Sequence, residues 1–458
     1  MFRHFAAVFL LLTATFASRP ALAAGESQIR DLETIELFMV PAVDSEEIRL
    51  ADERRAANGR VPHYAVGVEV GIDPWSYGDW QRVGKDEARW RLRITSPGAL
   101  SLNLAFGRYR MPPGGRLMLL SADGRYRVGP FSADDNESHG QLWTPPIVTD
   151  DLVLELSVPI DELEDLELEL TRVFHGYAGF GESPPKSGDC HRDVACPLAE
   201  PWSRQARSVA LISVSGNRFC TGFLVNNTAL DGRPFFLTAS HCGVTSHNAA
   251  SVVVMWNHER SVCGEEEPAP EIDPRQFQTG AIFRAAYQPS DTVLLELDDM
   301  PAPGFRVYYA GWDRSLADPS RSAVIHHPNT DVKRISLDFN RATTTSHLDD
   351  QPVAGGDHIR VGSWDMGSTE GGSSGAPLFN QEKLVVGQLH GGYAACGASR
   401  ADWFGRLSAA WTGGGRPGSR LSDWLDPSDA GVPSLPGIDA TEIEGGPPVL
   451  GQSTDSGE

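Results

Sequence analysis

The chain has few lysines, no cysteine before residue 190, and no apolar run long enough to cross a membrane. Its amino-terminal apolar run, residues 6–17, is about twelve residues long, whereas a membrane-spanning helix needs roughly 20. A basic start, Arg3-His4, precedes the run, and the small-residue motif Ala21-Leu22-Ala23 follows it, as is typical of a secretory signal peptide. We therefore expect residues 1–23 to be removed and the chain to be secreted, without a membrane anchor.

Positive charge is also scarce. With 61 acidic and 39 basic side chains the formal net charge is −22, so we expect neither nucleic acid nor an anionic membrane surface as a partner. Codon bias towards arginine explains the small number of lysines without any functional role, and those lysines are Lys85, Lys186, Lys333 and Lys383. Because the sequence has no CxxC spacing and no local cluster of histidine and cysteine, we predict no metal and no organic cofactor.

Cysteine is confined to the second part of the chain. An even number of cysteines in an exported protein predicts disulfides, here with fifteen possible pairings; the six are Cys190, Cys196, Cys220, Cys242, Cys263 and Cys396. Residues 24–186 contain none and are expected to form a separate unit. After an acidic, helical start at residues 26–38, strand-like alternation at residues 90–94 and 117–120, punctuated by turn signals, predicts a β-rich domain.

A proline-, glycine- and serine-rich segment, residues 181–188, marks the boundary and should be exposed and cleavable. Beyond it, residues 187–430 contain many short apolar strands and one plausible helix, residues 419–425. This pattern is typical of an all-β barrel or sandwich. Residues 431–458 are rich in proline, glycine, serine and acid, and are expected to form an acidic disordered tail.

Three short motifs carry chemically useful residues. His241 follows the apolar run 234–237 and stands next to a cysteine, Asp291 begins an apolar strand, and Ser374 lies in the small-residue turn Gly372-Ser373-Ser374-Gly375. The order His, Asp, Ser is that of chymotrypsin-like proteases. Ser374 would be the nucleophile, His241 its base, and Asp291 the group that orients the imidazole. The backbone N–H groups of Gly372 and Ser374 would form the oxyanion hole.

Together these motifs resemble the bacterial lysyl endopeptidases, a secreted branch of the chymotrypsin-like serine proteases. The resemblance is carried by residues 221–228, 236–243, 290–297, 310–314, 325–329, 372–377, 387–392 and 419–427. It implies an all-β, chymotrypsin-like double β-barrel that cleaves after lysine, acts on protein and peptide substrates as a monomer, and follows a propeptide (residues 24–186) serving as folding assistant or inhibitor. It also implies the disulfides Cys190–Cys396, Cys196–Cys263 and Cys220–Cys242.

The position six residues before the nucleophile, where trypsin carries its pocket aspartate, is Ser368. The resemblance places the selective acid at Asp402 instead. It puts His390 in the same substrate-binding pocket, close to the catalytic residues and stacked on a tryptophan. Asp365 and Glu370 are weaker candidates for the acid. Preference for lysine over arginine needs a pocket that excludes a planar guanidinium, and here it rests on the resemblance. Lys186, in the exposed boundary, is the expected processing site.

Two departures from known patterns stand out. The residue before the nucleophile is Ser373, so the amino-terminal salt bridge that activates trypsin-like zymogens cannot form in its usual way. Residues 343–362 differ most from the family pattern. A trypsin-like protease accepting arginine and lysine, a glutamyl protease, a non-catalytic homologue acting as a binding module, and a first unit that stays attached as a binding domain remain as alternatives.

Overall fold

The computed structural model describes residues 32–56, 61, 63–178, 187–264 and 269–443. The predicted signal peptide, the predicted processing residue Lys186 and residues 444–458 lie outside these ranges. Among the described helices, none combines the length and apolar character needed to span a membrane.

The amino-terminal unit is β-rich, as predicted, and packs two sheets face to face. One sheet has the order β1-β4-β9-β6-β7 with β3 beside β4, and the other has the order β2-β10-β5-β8. Its elements are β1 (Leu37–Met39), α1 (Ser45–Ala56), β2 (Ala65–Ile72), β3 (Asp79–Val83), β4 (Glu87–Thr95), β5 (Ser101–Arg110), β6 (Arg116–Ser121), β7 (Arg127–Phe131), β8 (Leu142–Trp143), β9 (Asp151–Pro159) and β10 (Glu167–Gly176).

Alternation along these strands explains the packing. In β4 the side chains of Trp90, Leu92 and Ile94 are buried while their neighbours are only half-buried, as expected when one sheet face meets a core. The helix predicted for residues 26–38 is wrong over its described part. A 3-10 turn (Leu32–Thr34) is followed by β1, which pairs in parallel with β4, so sheet pairing overrides the local acidic pattern.

The second unit contains two larger sheets. One has seven strands in the order β16-β15-β12-β13-β14-β18-β17, and the other has ten, built on β11-β22-β21-β25-β26-β27-β24-β23. The strands are β11 (Arg192–Asp193), β12 (Val209–Val214), β13 (Arg218–Leu224), β14 (Phe235–Ala239), β15 (Val253–Met255), β16 (Phe277–Thr279), β17 (Ala281–Tyr287), β18 (Thr292–Leu297), β19 (Tyr308–Tyr309), β20 (Trp312–Asp313), β21 (Ser322–His326), β22 (Arg334–Asp338), β23 (Thr343–Thr345), β24 (His358–Val361), β25 (Pro377–Phe379), β26 (Val385–Gly392), β27 (Asp402–Arg406), β28 (Ser434–Leu435) and β29 (Ile438–Asp439).

This second unit has the predicted all-β, chymotrypsin-like double-barrel fold, one sheet for each half. Its helices are short: α2 (Ser203–Ala206), α3 (Leu407–Thr412) and α4 (Ser422–Leu425). A shared apolar cluster joins the halves, since Phe223 and Leu294 of the first sheet pack in the same core as Ile325, Phe379 and Val385 of the second. Residues that protrude from facing edges of the halves can therefore meet in one cleft.

Three disulfides join Cys190 to Cys396, Cys196 to Cys263 and Cys220 to Cys242. These are the pairs that the resemblance implies. The Cα–Cα separations of 5.5, 4.4 and 6.2 Å suit unforced bridges. Among the described residues no cysteine is left free.

The predicted boundary of the disordered tail, at residue 431, lies too early in the chain. Residues 431–443 continue the ordered protein: β28 pairs with Trp312 and Asp313, and β29 pairs with β19. Ile443 is buried in the core of the seven-stranded half. The proline and glycine residues in this segment suggested disorder. Leu435, Ile438 and Ile443 nevertheless pack against the apolar cores, and β28 and β29 pair with the edges of other strands.

The two units touch through an apolar cluster that includes Tyr64 and Phe174 of the first and Phe219 of the second. The backbone N–H of Tyr64 donates to the carbonyl of Asn217 at 2.9 Å, and the Tyr64 hydroxyl lies 2.8 Å from the Ser213 hydroxyl. The amino-terminal unit therefore packs on the β12–β13 hairpin of the seven-stranded sheet.

Candidate active site

The three chemically suggestive side chains meet in the cleft between the two halves. His241 Nε2 lies 2.8 Å from Ser374 Oγ, and His241 Nδ1 lies 2.6 Å from Asp291 Oδ2. The backbone N–H of His241 also donates to Asp291 Oδ1 at 2.8 Å. Residues far apart in sequence thus form one continuous hydrogen-bonded line, in which Asp291 accepts and His241 faces the Ser374 hydroxyl.

His241 is held by a short turn with several restraints. It lies in the 3-10 turn Ser240–Cys242 that follows the buried strand β14, and the turn ends at Gly243 with φ +84°. The Cys220–Cys242 bridge fastens this turn to β13. The imidazole is therefore fixed in place while it remains partly exposed to the cleft.

Asp291 is buried, and its main chain adopts a left-handed conformation with φ +52°. The Gln388 side chain stabilises this conformation by donating to the carbonyls of Ser290 and Asp291 at 2.8 and 3.0 Å. The Ser240 N–H also donates to the Asp291 carbonyl, at 2.8 Å. The strained residue is thus tied to the strands on both sides of the cleft, and its carboxylate is aimed at His241.

Ser374 lies on a turn that needs glycine on both sides. Gly372 has φ +87° and Gly375 has φ +85°, and a β-carbon at Gly372 would lie 2.6 Å from the Phe219 ring. The Ser373 N–H donates to Glu370 and the Gly375 N–H donates to Leu389. The N–H groups of Gly372 and Ser374, by contrast, make no hydrogen bond within the described protein. They are therefore free to bind a substrate oxygen.

Ser373 is part of a buried polar network. His326 Nδ1 lies 2.7 Å from Ser373 Oγ, and the Glu370 N–H donates to the same oxygen at 3.2 Å. Burial lowers the pKa of His326 well below its usual value, so this histidine is neutral. These contacts fit a structural role for His326, and they hold the turn that carries Ser374.

Asp402 begins β27, opposite Gly392 of β26. Its Oδ2 accepts hydrogen bonds from Trp364 Nε1 and Thr369 Oγ1, both at 2.7 Å. Its Oδ1 has no hydrogen-bond partner of good geometry among the described residues, and a β-carbon at Gly392 would collide with that oxygen. Thr369 lies five positions before Ser374, so its hydrogen bond connects Asp402 to the segment that leads to Ser374.

The buried surroundings of Asp402 disfavour the charged form of its carboxyl group. Burial raises its pKa, while hydrogen bonds from Trp364, Thr369 and the backbone of Ala394 oppose the rise. A buried acid with one uncompensated oxygen is suited to receive a cation. Asp365 and Glu370 do not offer this: Asp365 accepts from the Phe339 N–H, and Glu370 accepts from Asn329.

His390 lies close to His241 and Asp291, as the resemblance implies: its ring centroid is 5.5 Å from that of His241, and its Nε2 is 3.8 Å from Asp291 Oδ2. The predicted stacking of His390 on a tryptophan is wrong. The His390 ring stacks on His347 with centroids 3.6 Å apart. Trp364, the nearest tryptophan before Ser374 in sequence, donates instead to Asp402 Oδ2 at 2.7 Å.

Sequence reasoning missed the histidines that accompany His390. His358 Nε2 lies 2.9 Å from His390 Nδ1, and His358 Nδ1 lies 2.7 Å from Asp357 Oδ1. Burial lowers the pKa of His390 to about 3 and that of His347 to about 4, so both rings are neutral at neutral pH. The available signal was that His347 and His358 fall in residues 343–362, where the resemblance is weakest.

Comparison with known proteins finds sequence similarity to lysyl endopeptidases. Residues 185–405 match the family described as lysyl endopeptidase, C-terminal domain. Lysyl endopeptidase of Pseudomonas aeruginosa is 28% identical over 292 residues, which cover 59% of this chain and 62% of the relative. The matched region thus spans less than two thirds of the relative's length. Over these residues the chain is similar to lysyl endopeptidases.

Solved structures are similar at a lower level. The active form of the Rv3671c protease of M. tuberculosis has a TM-score of 0.29 and 18% identity, covering 50% of this chain and 87% of that one. Human heparin binding protein has a TM-score of 0.33 and 19% identity, covering 52% and 94%. The HtrA-type protease AlgW with tripeptide has a TM-score of 0.31 and 14% identity, covering 46% and 60%.

Proposed function

We propose that this protein is a secreted serine endopeptidase that hydrolyses peptide bonds on the carboxyl side of lysine. The observation that carries the proposal is the hydrogen-bonded line from Asp291 through His241 to Ser374, with distances of 2.6 and 2.8 Å. The similarity to lysyl endopeptidases over residues 185–405 supports it.

In the proposed reaction the Ser374 hydroxyl attacks the substrate carbonyl while His241 Nε2 takes its proton. Asp291 accepts from His241 Nδ1–H, which keeps Nε2 free as the base and stabilises the imidazolium. The N–H groups of Gly372 and Ser374 bind the oxyanion, and each such donor contributes roughly 2.7–4 kcal/mol to lowering the barrier. His241 then returns the proton to the leaving amine, and water hydrolyses the acyl-enzyme at Ser374 by the same route.

Asp402 is the proposed lysine-binding residue. Because Trp364 and Thr369 already occupy Oδ2, only Oδ1 is left for a substrate cation. A lysine ammonium needs one acceptor oxygen, whereas the planar arginine fork binds best to both oxygens of a carboxylate. This one-oxygen arrangement favours lysine over arginine, and it supports the narrow specificity independently of the resemblance.

We infer that residues 24–186 are a propeptide, released by cleavage after Lys186. Ser187 is buried, and its hydroxyl donates to Asp331, so the new amino terminus would stay packed on the protease domain. Secretion is supported by the three disulfides, which persist in oxidising compartments. The contacts of Tyr64 and Phe174 with the β12–β13 hairpin are compatible with a unit that assists folding or covers the cleft.

A fluorophosphonate probe tests the reaction class. The processed chain should be labelled at Ser374 and should hydrolyse a lysyl peptide, and the Ser374→Ala variant should do neither. Failure of correctly processed protein to react with the probe would favour a non-catalytic binding module. Hydrolysis of arginyl and lysyl peptides at equal rates would keep the triad but overturn the one-oxygen argument for lysine.

A further inference from the structure

We propose that His241, Asp291 and His390 form a Zn²⁺ site that inhibits the protease when it is occupied. One nitrogen of each histidine and one carboxylate oxygen lie within 4.8 Å of one another. His241 Nδ1 and His390 Nε2 lie 2.6 and 3.8 Å from Asp291 Oδ2. Two imidazoles and one carboxylate, with a fourth position left for water, are a ligand set that Zn²⁺ prefers.

The hydrogen bonds behind His390 determine which of its nitrogens is free. A carboxylate only accepts, so His358 Nδ1 must carry a proton to bond Asp357 at 2.7 Å. In neutral His358 the Nε2 atom then accepts, and the proton in its 2.9 Å bond belongs to His390 Nδ1. His390 Nε2, which lies 3.8 Å from Asp291 Oδ2, consequently keeps its lone pair.

Two electron-pair donors therefore face each other without a proton between them. The distance of 3.8 Å from His390 Nε2 to Asp291 Oδ2 is too long for a hydrogen bond. A cation between the two atoms would remove the repulsion. The same relay from His390 through His358 to Asp357 is the outer-shell arrangement that orients metal-binding histidines and raises their basicity.

The surroundings of the proposed site suit a metal ion that binds reversibly. His347 stacks on His390 at 3.6 Å and holds its ring plane, while the side chains of His241 and His390 are 27% and 22% exposed. Tetrahedral zinc bonds of about 2.1 Å place the ligand atoms ~3.4 Å apart. Each of the two observed distances would change by less than about 1 Å to meet that value.

Zinc at this position would stop the chemistry through the tautomer of His241. With zinc on Nδ1, the proton of the neutral imidazole has to lie on Nε2, which then donates to Ser374 and cannot accept its proton. This consequence rests on the proposed function, whereas the metal site itself does not. The ligand atoms come from distant parts of the sequence, which is why the sequence pattern predicted no metal.

The test measures zinc binding and inhibition separately. Zinc chloride is titrated calorimetrically into the processed Ser374→Ala variant, and we expect one ion bound per chain. In the active chain the same ion should inhibit hydrolysis of a lysyl peptide reversibly, with recovery on adding a chelator. Mg²⁺ and Ca²⁺, which prefer oxygen ligands, should do neither.

Variants identify the ligands. In the Ser374→Ala background, His390→Ala should abolish the site, and Asp357→Asn should weaken zinc binding by about 10- to 100-fold. The matched control is His247→Ala, an exposed histidine outside the cleft, which should leave the affinity unchanged. Circular dichroism establishes that each variant is folded, and the Asp357→Asn variant decides the matter if His390→Ala does not fold.

Zinc bound to the Ser374→Ala variant but no peptidase activity in the parent would sink the proposed function and leave the metal site standing. An active protease that zinc neither binds nor inhibits would overturn the metal site alone. Unchanged zinc affinity in the folded His390→Ala or Asp357→Asn variants would overturn it as well.

Discussion

Replacing Asp402 with asparagine tests the proposed lysine pocket most closely. Trp364 and Thr369 both donate to Oδ2, so the amide oxygen of the Asp402→Asn variant should take that position. The amide NH₂ would then replace Oδ1. A substrate ammonium would meet another donor where it formerly met a negatively charged acceptor.

The expected effect follows from the loss of one charge-assisted hydrogen bond. Such a bond contributes about 1.5–3 kcal/mol, which corresponds to roughly 10- to 150-fold in kcat/KM. Because the amide NH₂ and the substrate ammonium are both hydrogen-bond donors, we expect a loss in kcat/KM at the upper end of this range. A norleucine substrate has the same length without the charge, so its kcat/KM should hardly change.

The assay compares kcat/KM for matched lysyl and norleucyl peptides in the parent, Asp402→Asn and Asp365→Asn. Asp365 is the matched control because it is an exposed acid on the segment before the nucleophile. An unchanged lysine-to-norleucine ratio in the Asp402→Asn variant would refute the reasoning. So would an equal loss of lysine preference in the Asp365→Asn variant.

Stability gives a second readout for the same variant. Burial raises the pKa of Asp402 in the folded protein, so its ionisation opposes folding. The penalty grows as the pH rises from the unfolded-state pKa to the folded-state pKa and is constant above it. The asparagine side chain cannot ionise. We therefore expect a Tm at neutral pH no lower than that of the parent, with any difference disappearing below about pH 4, where the unfolded aspartic acid is also protonated. A fall in Tm would point to structural damage rather than to lost recognition.

Three further changes test other parts of the site. Asp291→Asn should lower kcat by about 10⁴ with little change in KM, because the amide favours the wrong tautomer of His241; unchanged steady-state kinetics would contradict the role given to Asp291. Gly372→Ala should lower kcat by about 10²–10³. The backbone at Gly372 has φ +87°, and a β-carbon there would collide with the Phe219 ring and displace an oxyanion donor. Gly418→Ala is the control that should keep full kcat, because Gly418 has φ +77° and open space around it. Removing both Cys220 and Cys242 as alanines should lower the free energy of unfolding by about 3 kcal/mol, as expected for a loop with a sequence separation of 22 residues; denaturant titration measures it, and an unchanged midpoint would contradict the restraint assigned to this bridge.

The three residues of the proposed triad could be selected from the sequence because local sequence features mark each of them. His241 follows a buried strand and adjoins a cysteine, Asp291 opens another strand, and Ser374 sits among glycines that the turn requires. The short apolar strands also predicted the all-β fold. The disulfide pairing came from the resemblance, since spacing alone allowed fifteen solutions.

Features that depend on distant contacts were not predictable in the same way. A tryptophan was predicted to stack on His390 because the actual partner, His347, is brought to it only by the pairing of β23, β24, β27 and β26. Asp402 Oδ1 has no hydrogen-bond partner because Trp364 and Thr369 both donate to Oδ2. A sequence pattern cannot predict the orientation of those two side chains. The order of residues 431–443 was not predicted because this segment contains few apolar residues and pairs with strands that lie much earlier in the sequence, β19 and β20.

The most direct test of the central claim is a peptide map of a denatured, reduced protein digested by the processed chain, with the Ser374→Ala variant as control. We expect mass spectrometry to find cleavage only after lysine, and none with the control. Cleavage by both proteins would show that the hydrolysis does not come from Ser374. Absence of cleavage by correctly processed, folded protein would contradict the proposed protease function.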